Sequence, residues 1–183
     1  MALTRLGLNQ SINLASNVTG TLATGNGGTG ATSFAPGKIL QVVEGTSSTE
    51  HEATGSADQD IGLSVAITPS SSSSKVLVTV SFLYKIFLSG SYGSTAQFQL
   101  LRGSSAIIAR SGSSNQDYNV EASALSTSNY VTMATQLNMQ ILDSPSTTSA
   151  TTYKVQSTGI SSTRVECMLN NVRGSIVAYE VAV

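Results

Sequence analysis

The chain has 183 residues, a length that suits one domain or one domain with an appendage. Only 10% of the residues are charged and the net charge is −1, so neither phosphate neutralisation by clustered Lys and Arg nor an acidic disordered tail is available. Hydrophobic residues still make up 40% of the chain, while disorder requires low hydrophobicity together with high net charge. A chain that avoids charge and keeps a core, with Ser and Thr replacing charges on the outer faces of strands, fits an all-β protein.

Residues 1–37 read as an arm. Leu3, Leu6, Leu8, Ile12, Leu14, Val18 and Leu22 are spaced to fit neither a helix nor a strand, and Gly25-Asn26-Gly27-Gly28-Thr29-Gly30 follows them. Such a segment cannot bury its apolar residues against itself and orders only by docking on something else. Composition changes at Pro36-Gly37, which sets the expected boundary between the arm and a β-sandwich domain over 38–183.

Strands are expected at 38–44, 61–67, 75–88, 95–102, 106–110, 130–142, 151–156, 164–169 and 175–183, separated by Ser/Gly-rich turns. Ile61, Leu63, Val65 and Ile67 share one face. In the longest strand Val76, Val78, Val80, Phe82, Tyr84, Ile86 and Leu88 share another. The opposite face of that strand carries Leu77, Leu83 and Phe87, which predicts cover on both sides, by a second sheet and by a neighbouring subunit. Met133, Thr135, Leu137, Met139 and Ile141 form one face of 130–142. The last strand is expected to lie inside its sheet. Nine short strands and no helix predict a β-sandwich of jelly-roll type.

The residues that normally carry chemistry are sparse. Gly25 to Gly30 matches GxGxxG, but Pro36 and Gly37 forbid the helix a dinucleotide site needs. Gly30 to Lys38 fails as a phosphate loop on its spacing and on Ile39. His51, the single histidine, lies between Glu50 and Glu52, which predicts a charged imidazole in a solvated loop and a poor general base. No Gly-x-Ser-x-Gly elbow has a strand-to-helix setting. Asp58 and Asp60 are expected to be solvated rather than to bind calcium. Asp117 with Glu121 is the one loop pair that suits glycan hydrolysis.

Cys167 excludes an internal disulfide and reads as a small buried hydrophobe. No apolar run approaches the roughly 18 residues that cross a bilayer, and the first ten residues do not read as a secretory signal. The Asn17-Val18-Thr19 sequon is therefore idle. Tyr92, Tyr118 and Tyr130 lie in or beside Ser/Gly/Asn-rich loops, the chemistry of adaptable recognition surfaces, so they are the candidate receptor contacts; packing at strand ends is the alternative. No cofactor, no metal, no enzymatic activity, no nucleic acid and no membrane insertion are expected.

The run from Asn13-Leu14 through Val18-Thr19-Gly20-Thr21-Leu22 to Asn26-Gly27-Gly28-Thr29-Gly30-Ala31-Thr32 resembles a joint in tail-fibre and related virion proteins of tailed bacteriophages. Ala23-Thr24-Gly25 departs from the Pro-Val-Ala-like run of many relatives. Downstream, Gly37 to Val43, Gly62 to Ser70, Ser74 to Val78 and Leu142 to Gln156 resemble a distal domain of such fibres. The resemblance implies a homotrimer with the glycine segment near its axis, localised in the virion after synthesis in the host cytoplasm. It also implies partners: tail or baseplate proteins, and a host surface glycan or protein. A capsid decoration (cement) or head-fibre protein bound to the major capsid protein is the alternative; a lectin outside any virus is a third reading.

If Gly27, Gly28 and Gly30 serve close approach or positive φ, Gly28→Val places a β-branched residue where it costs about 1–3 kcal/mol per site, tripled around a threefold axis. The expected outcome is impaired incorporation into particles with an unchanged melting temperature of the domain. Normal incorporation would reduce the glycines to a tether.

Overall fold

The structure is a computed structural model that describes residues 38–55, 57–88, 94–109, 119–122, 131–160 and 164–183. The arm, with Leu3 through Leu22 and Gly27, Gly28 and Gly30, lies outside the described residues. The described chain is built from strands β1 (Ile39–Ser47), β2 (His51–Thr54), β3 (Gln59–Ile67), β4 (Lys75–Leu88), β5 (Ser94–Arg102), β6 (Ser105–Ile108), β7 (Asn119–Ala122), β8 (Val131–Asp143), β9 (Thr151–Ile160), β10 (Arg164–Cys167) and β11 (Gly174–Val181), with one 3-10 turn at Leu169–Asn171. No described helix is long and apolar enough to cross a membrane.

β4 is the axis of the first sheet. Its 14 residues alternate Val76, Val78, Val80, Phe82, Tyr84 and Ile86 inward, all buried. β8 pairs with β4 along one edge, from Val76↔Asp143 to Leu88↔Val131. On the other edge β11 pairs with Lys75–Ser81 and β10 with Tyr84–Phe87. Only Phe82 and Leu83 of β4 separate those two partners, whereas residues 168–173 separate them on the other chain segment. The surplus is thrown out as a bulge in which Met168, Asn170 and Asn171 take positive φ, and Met168 N–H returns to the Leu83 carbonyl at 2.9 Å. β1 and β2 extend β11 and β10 in the same way.

The second sheet runs β3-β9-β5-β6, with β7 sharing the β6 edge of β5. Treating β1 with β2, β10 with β11, and β6 with β7 as broken strands leaves four antiparallel strand positions per sheet. Their order is that of the double-sheet jelly roll. The inner faces meet in Ile61, Leu63, Val65, Ile67, Phe98, Leu100, Tyr153 and Val155, and Phe98 joins the sheets through edge contacts to Phe82 (5.6 Å between centroids) and Tyr84 (4.9 Å).

The predicted faces of 61–67 and 75–88 and the buried Cys167 agree with this arrangement. So does the turn at Gly103, where φ is +59° between β5 and β6. Two expectations need correction. β2 and β7 are strands that the periodicity did not signal, because four residues give too little alternation. His51 is no solvated loop residue: it pairs with Cys167 in β2 and is half-buried.

At Gly45, on the β1 edge, the backbones of the two sheets approach each other directly. A Cβ at Gly45 would lie 1.9 Å from the Ser64 carbonyl oxygen of β3. Gly45→Ala therefore forces the backbones apart. It should cost about 2–3 kcal/mol, a fall in Tm of roughly 5–10 °C by calorimetry. An unchanged Tm would mean that the edges are not in contact.

Candidate functional site

The sandwich has two unlike ends. At one, Ile39 of β1, Val181 of β11 and Lys75 of β4 stand in register, and Ala182 N–H donates to the Lys38 carbonyl at 2.7 Å. This is the Lys38 end, where the chain from the arm enters. At the other, the Leu88 end, β4 stops beside the start of β8, β9 stops beside the start of β5, and β10 starts beside the end of β2.

The Lys38 end is closed by two carboxylates on the inward phase of their strands, in the row Asp143–Val76–Glu180–Gln41. Glu180 is 1% exposed. It accepts hydrogen bonds from Ser70 N–H (2.7 Å), Ser70 Oγ (2.6 Å) and Gln41 Nε2 (2.8 Å), and Gln41 Nε2 also donates to the Thr68 carbonyl (2.7 Å). The turn that carries the chain from β3 to β4, between the sheets, is thereby fastened to β11. Burial pushes the Glu180 pKa up, but the bonds from Ser70, Gln41 and Ser74 outweigh it and hold it at about 2.

Asp143 makes the matching connection. Arg102 NH1 reaches both of its oxygens at 2.9 Å and Tyr153 OH donates to Oδ2 at 2.8 Å, so β5 and β9 of one sheet are tied to β8 of the other. Burial, then this bond, raises the Tyr153 pKa. Neither acid was singled out from the sequence. The signal was there in Ile176, Ala178 and Glu180: an acid on the inward phase of an apolar strand must be paired.

The candidate receptor residues Tyr92, Tyr118 and Tyr130 lie outside the described residues. Leu88, which ends β4, and Val131, which follows Tyr130 in the chain, are register partners; Ser94, the described residue nearest Tyr92, pairs with Ala122. Tyr118 precedes Asn119, whose partner is Gln97, along the β5 edge. Asp117 is also outside the described residues, and Glu121 stands opposite Thr95 in β7.

The outer face of the second sheet is a hydrogen-bonded polar lattice. Gln99 donates to Gln156 (2.7 Å), Gln156 to Asp60 (2.7 Å), and Lys154 to Asp60 (2.8 Å). The Lys154 bond, against some burial, lowers the Asp60 pKa. Both Asp60 oxygens are committed, and Asp58 bonds the Thr158 hydroxyl. Among the described residues no group of His, Cys, Asp and Glu converges to hold a metal ion. The flanking acids do not charge His51 as expected. Glu52 pairs with Arg164 at 3.3 Å and Glu50 accepts from Asn170 N–H at 2.8 Å, so burial lowers the His51 pKa against the opposing pull of Asp60. Burial also pushes the Cys167 thiol up to about 12, which leaves it inert at neutral pH.

No family model and no curated protein matches the chain. Among solved structures it is similar to the VP2 subviral particle of infectious bursal disease virus, at 12% identity and TM-score 0.34, over 98% of this chain and 42% of that one. It is also similar to the T13 viral particle of the same virus, at 10% identity and TM-score 0.34, over 98% and 40%. A third similarity is to dimeric latent PorU of Porphyromonas gingivalis, at 13% identity and TM-score 0.36, over 81% and 14%. The chain spans less than half the length of each.

A carboxyl group with a depressed folded pKa binds its proton more readily in the unfolded chain. The Glu180 contribution is therefore complete above the ordinary carboxyl value of 4.5 and is lost as pH falls from there through about 2. Glu180→Gln should lower stability at pH 7 by about 1.5–3 kcal/mol. It should also flatten the loss of Tm across that same acid window. An equally steep acid limb in the variant would place the linkage elsewhere.

Proposed function

We propose that the protein is a structural component of a tailed-phage virion: a short homotrimeric fibre, anchored by residues 1–37, that presents the Leu88 end of its sandwich for contact with a host-surface glycan or protein. The observation that carries this reading is the polarity of the sandwich. The described chain begins at Lys38, beside the Glu180 and Asp143 closures, and at the opposite end β4 stops and β8 starts, the strands that precede Tyr92 and follow Tyr130 in the chain.

Three further features support it. Residues 13–32 resemble the joint of phage virion proteins. Residues 1–37 carry seven aliphatic residues whose spacing fits neither a helix nor a strand. Glu180 and Asp143 are occupied in closing the sandwich and Asp60 and Glu52 in surface ion pairs, which suits a support better than hydrolysis. On this reading virion proteins bind the arm and the host surface meets the far loops.

Deletion of residues 1–24 tests the assignment. The truncated chain should keep the melting temperature of the full chain and fail to join particles. Incorporation at normal copy number would put the anchor elsewhere, and loss of the folded sandwich would put the boundary elsewhere.

A further inference from the structure

The outer face of the β4 sheet carries an apolar row that crosses all four strands near the Lys38 end. Register places Leu142 of β8 beside Leu77 of β4, Leu77 beside Tyr179 of β11, and Tyr179 beside Val42 of β1. Leu142 is 51% exposed and Val42 56%, while Leu77 and Tyr179 are half-buried. Such a row on the solvent side of a sheet marks an interaction surface.

We infer that this face, together with the free edge of β8, is where one copy of the chain binds the next. Charge selects the partner. The two rows beyond the apolar one hold Gln140, Thr79, Val177 and Glu44, then Asn138, Ser81, Ser175 and Thr46. Glu44 is held by Arg173 at 2.7 Å, and on the other side of the apolar row Lys75 stands at the rim, two residues before Leu77 on the same phase of β4. Identical copies bring identical charges, so a face that is to meet its own kind must carry little net charge. Lys85, Glu166, Arg164 and Glu52, the ionic cluster of this sheet, are paired with one another towards the Leu88 end.

Area selects the arrangement. Four strands about 4.8 Å apart and about six residues of about 3.3 Å cover roughly 400 Å² of plane. A stable contact takes about 800 Å² per partner, so this face against itself is too small. β8 supplies the rest. Among the described residues it pairs only with β4, and its 13 residues include no Lys, Arg or Pro to guard the open edge. Leu142 lies on that edge and ends the apolar row, so face and edge form one continuous surface. Laying the β8 edge of one copy on the face of the next is a heterologous contact, which gives a ring when its rotation closes and a filament when it does not. That the ring has three members rests on the fibre reading above.

The test uses the full chain. Wild type should sediment as a trimer. Val42→Lys combined with Leu142→Lys, both exposed positions, should keep the melting curve and weaken association at least tenfold. Ala66→Lys, exposed on the other sheet, should remain trimeric. A second variant, Val42→Cys with Leu142→Cys, guards against misfolding. The two positions are three strand spacings apart, about 14 Å, too far to bridge within one chain, and the native Cys167 is buried. Oxidation should therefore give covalent multimers up to three chains.

Monomeric wild type at tens of micromolar, or multimers indifferent to both variants, would overturn the interface. Normal incorporation of wild type into particles alongside that result would leave the virion reading standing. Disruption as expected in a protein absent from particles would overturn the virion reading alone.

Discussion

Everything in the sandwich is registered against β4. It is hydrogen-bonded along both edges, to β8 over 13 residues and to β11 and β10 in succession, and its inward side chains are the centre of the core. A slip of one residue would turn Val76 through Ile86 outward and bring Leu77, Thr79, Ser81 and Lys85 inward, so no other register is available. The bulge at 168–173 follows from that constraint. β10 and β11 must both match β4, their spacing along the chain exceeds the spacing along β4, and three residues at positive φ absorb the difference.

The same constraint decides where polar groups can be used. With the core mostly apolar, acids on the inward phase are tolerated at its rim, where donors can reach them. Asp143 at the end of β8 and Glu180 near the end of β11 flank Val76 of β4 in one such row, and each binds across to the other sheet or to the turn between sheets. The Lys38 end is thereby closed. On the proposed reading this is the end that is held, and the opposite end makes the contact.

Legibility in the sequence tracked the length of the periodic pattern. Fourteen alternating residues located β4 to both its ends, and Ile61 through Ile67 located the core face of β3. Asn119–Ala122 and His51–Thr54 were invisible because four residues beside Gly- and Ser-rich text hold no period, and their strand character comes from the edges they pair with. The environment of His51 was misjudged for the same reason. Local sequence put two acids beside it, and the sheet sent both to other partners, Arg164 and the Asn170 amide. The roles of Glu180 and Asp143 needed the third dimension, since Ser70 and Arg102 are far from them in sequence. The arm and the three tyrosines rest on the sequence alone.

The orientation of the sandwich within a particle tests the account most directly. A cryo-electron microscopy map of purified particles should hold jelly-roll density with the Lys38 end towards the particle body and the Leu88 end outermost. The reverse orientation, or particles without this density, would contradict it.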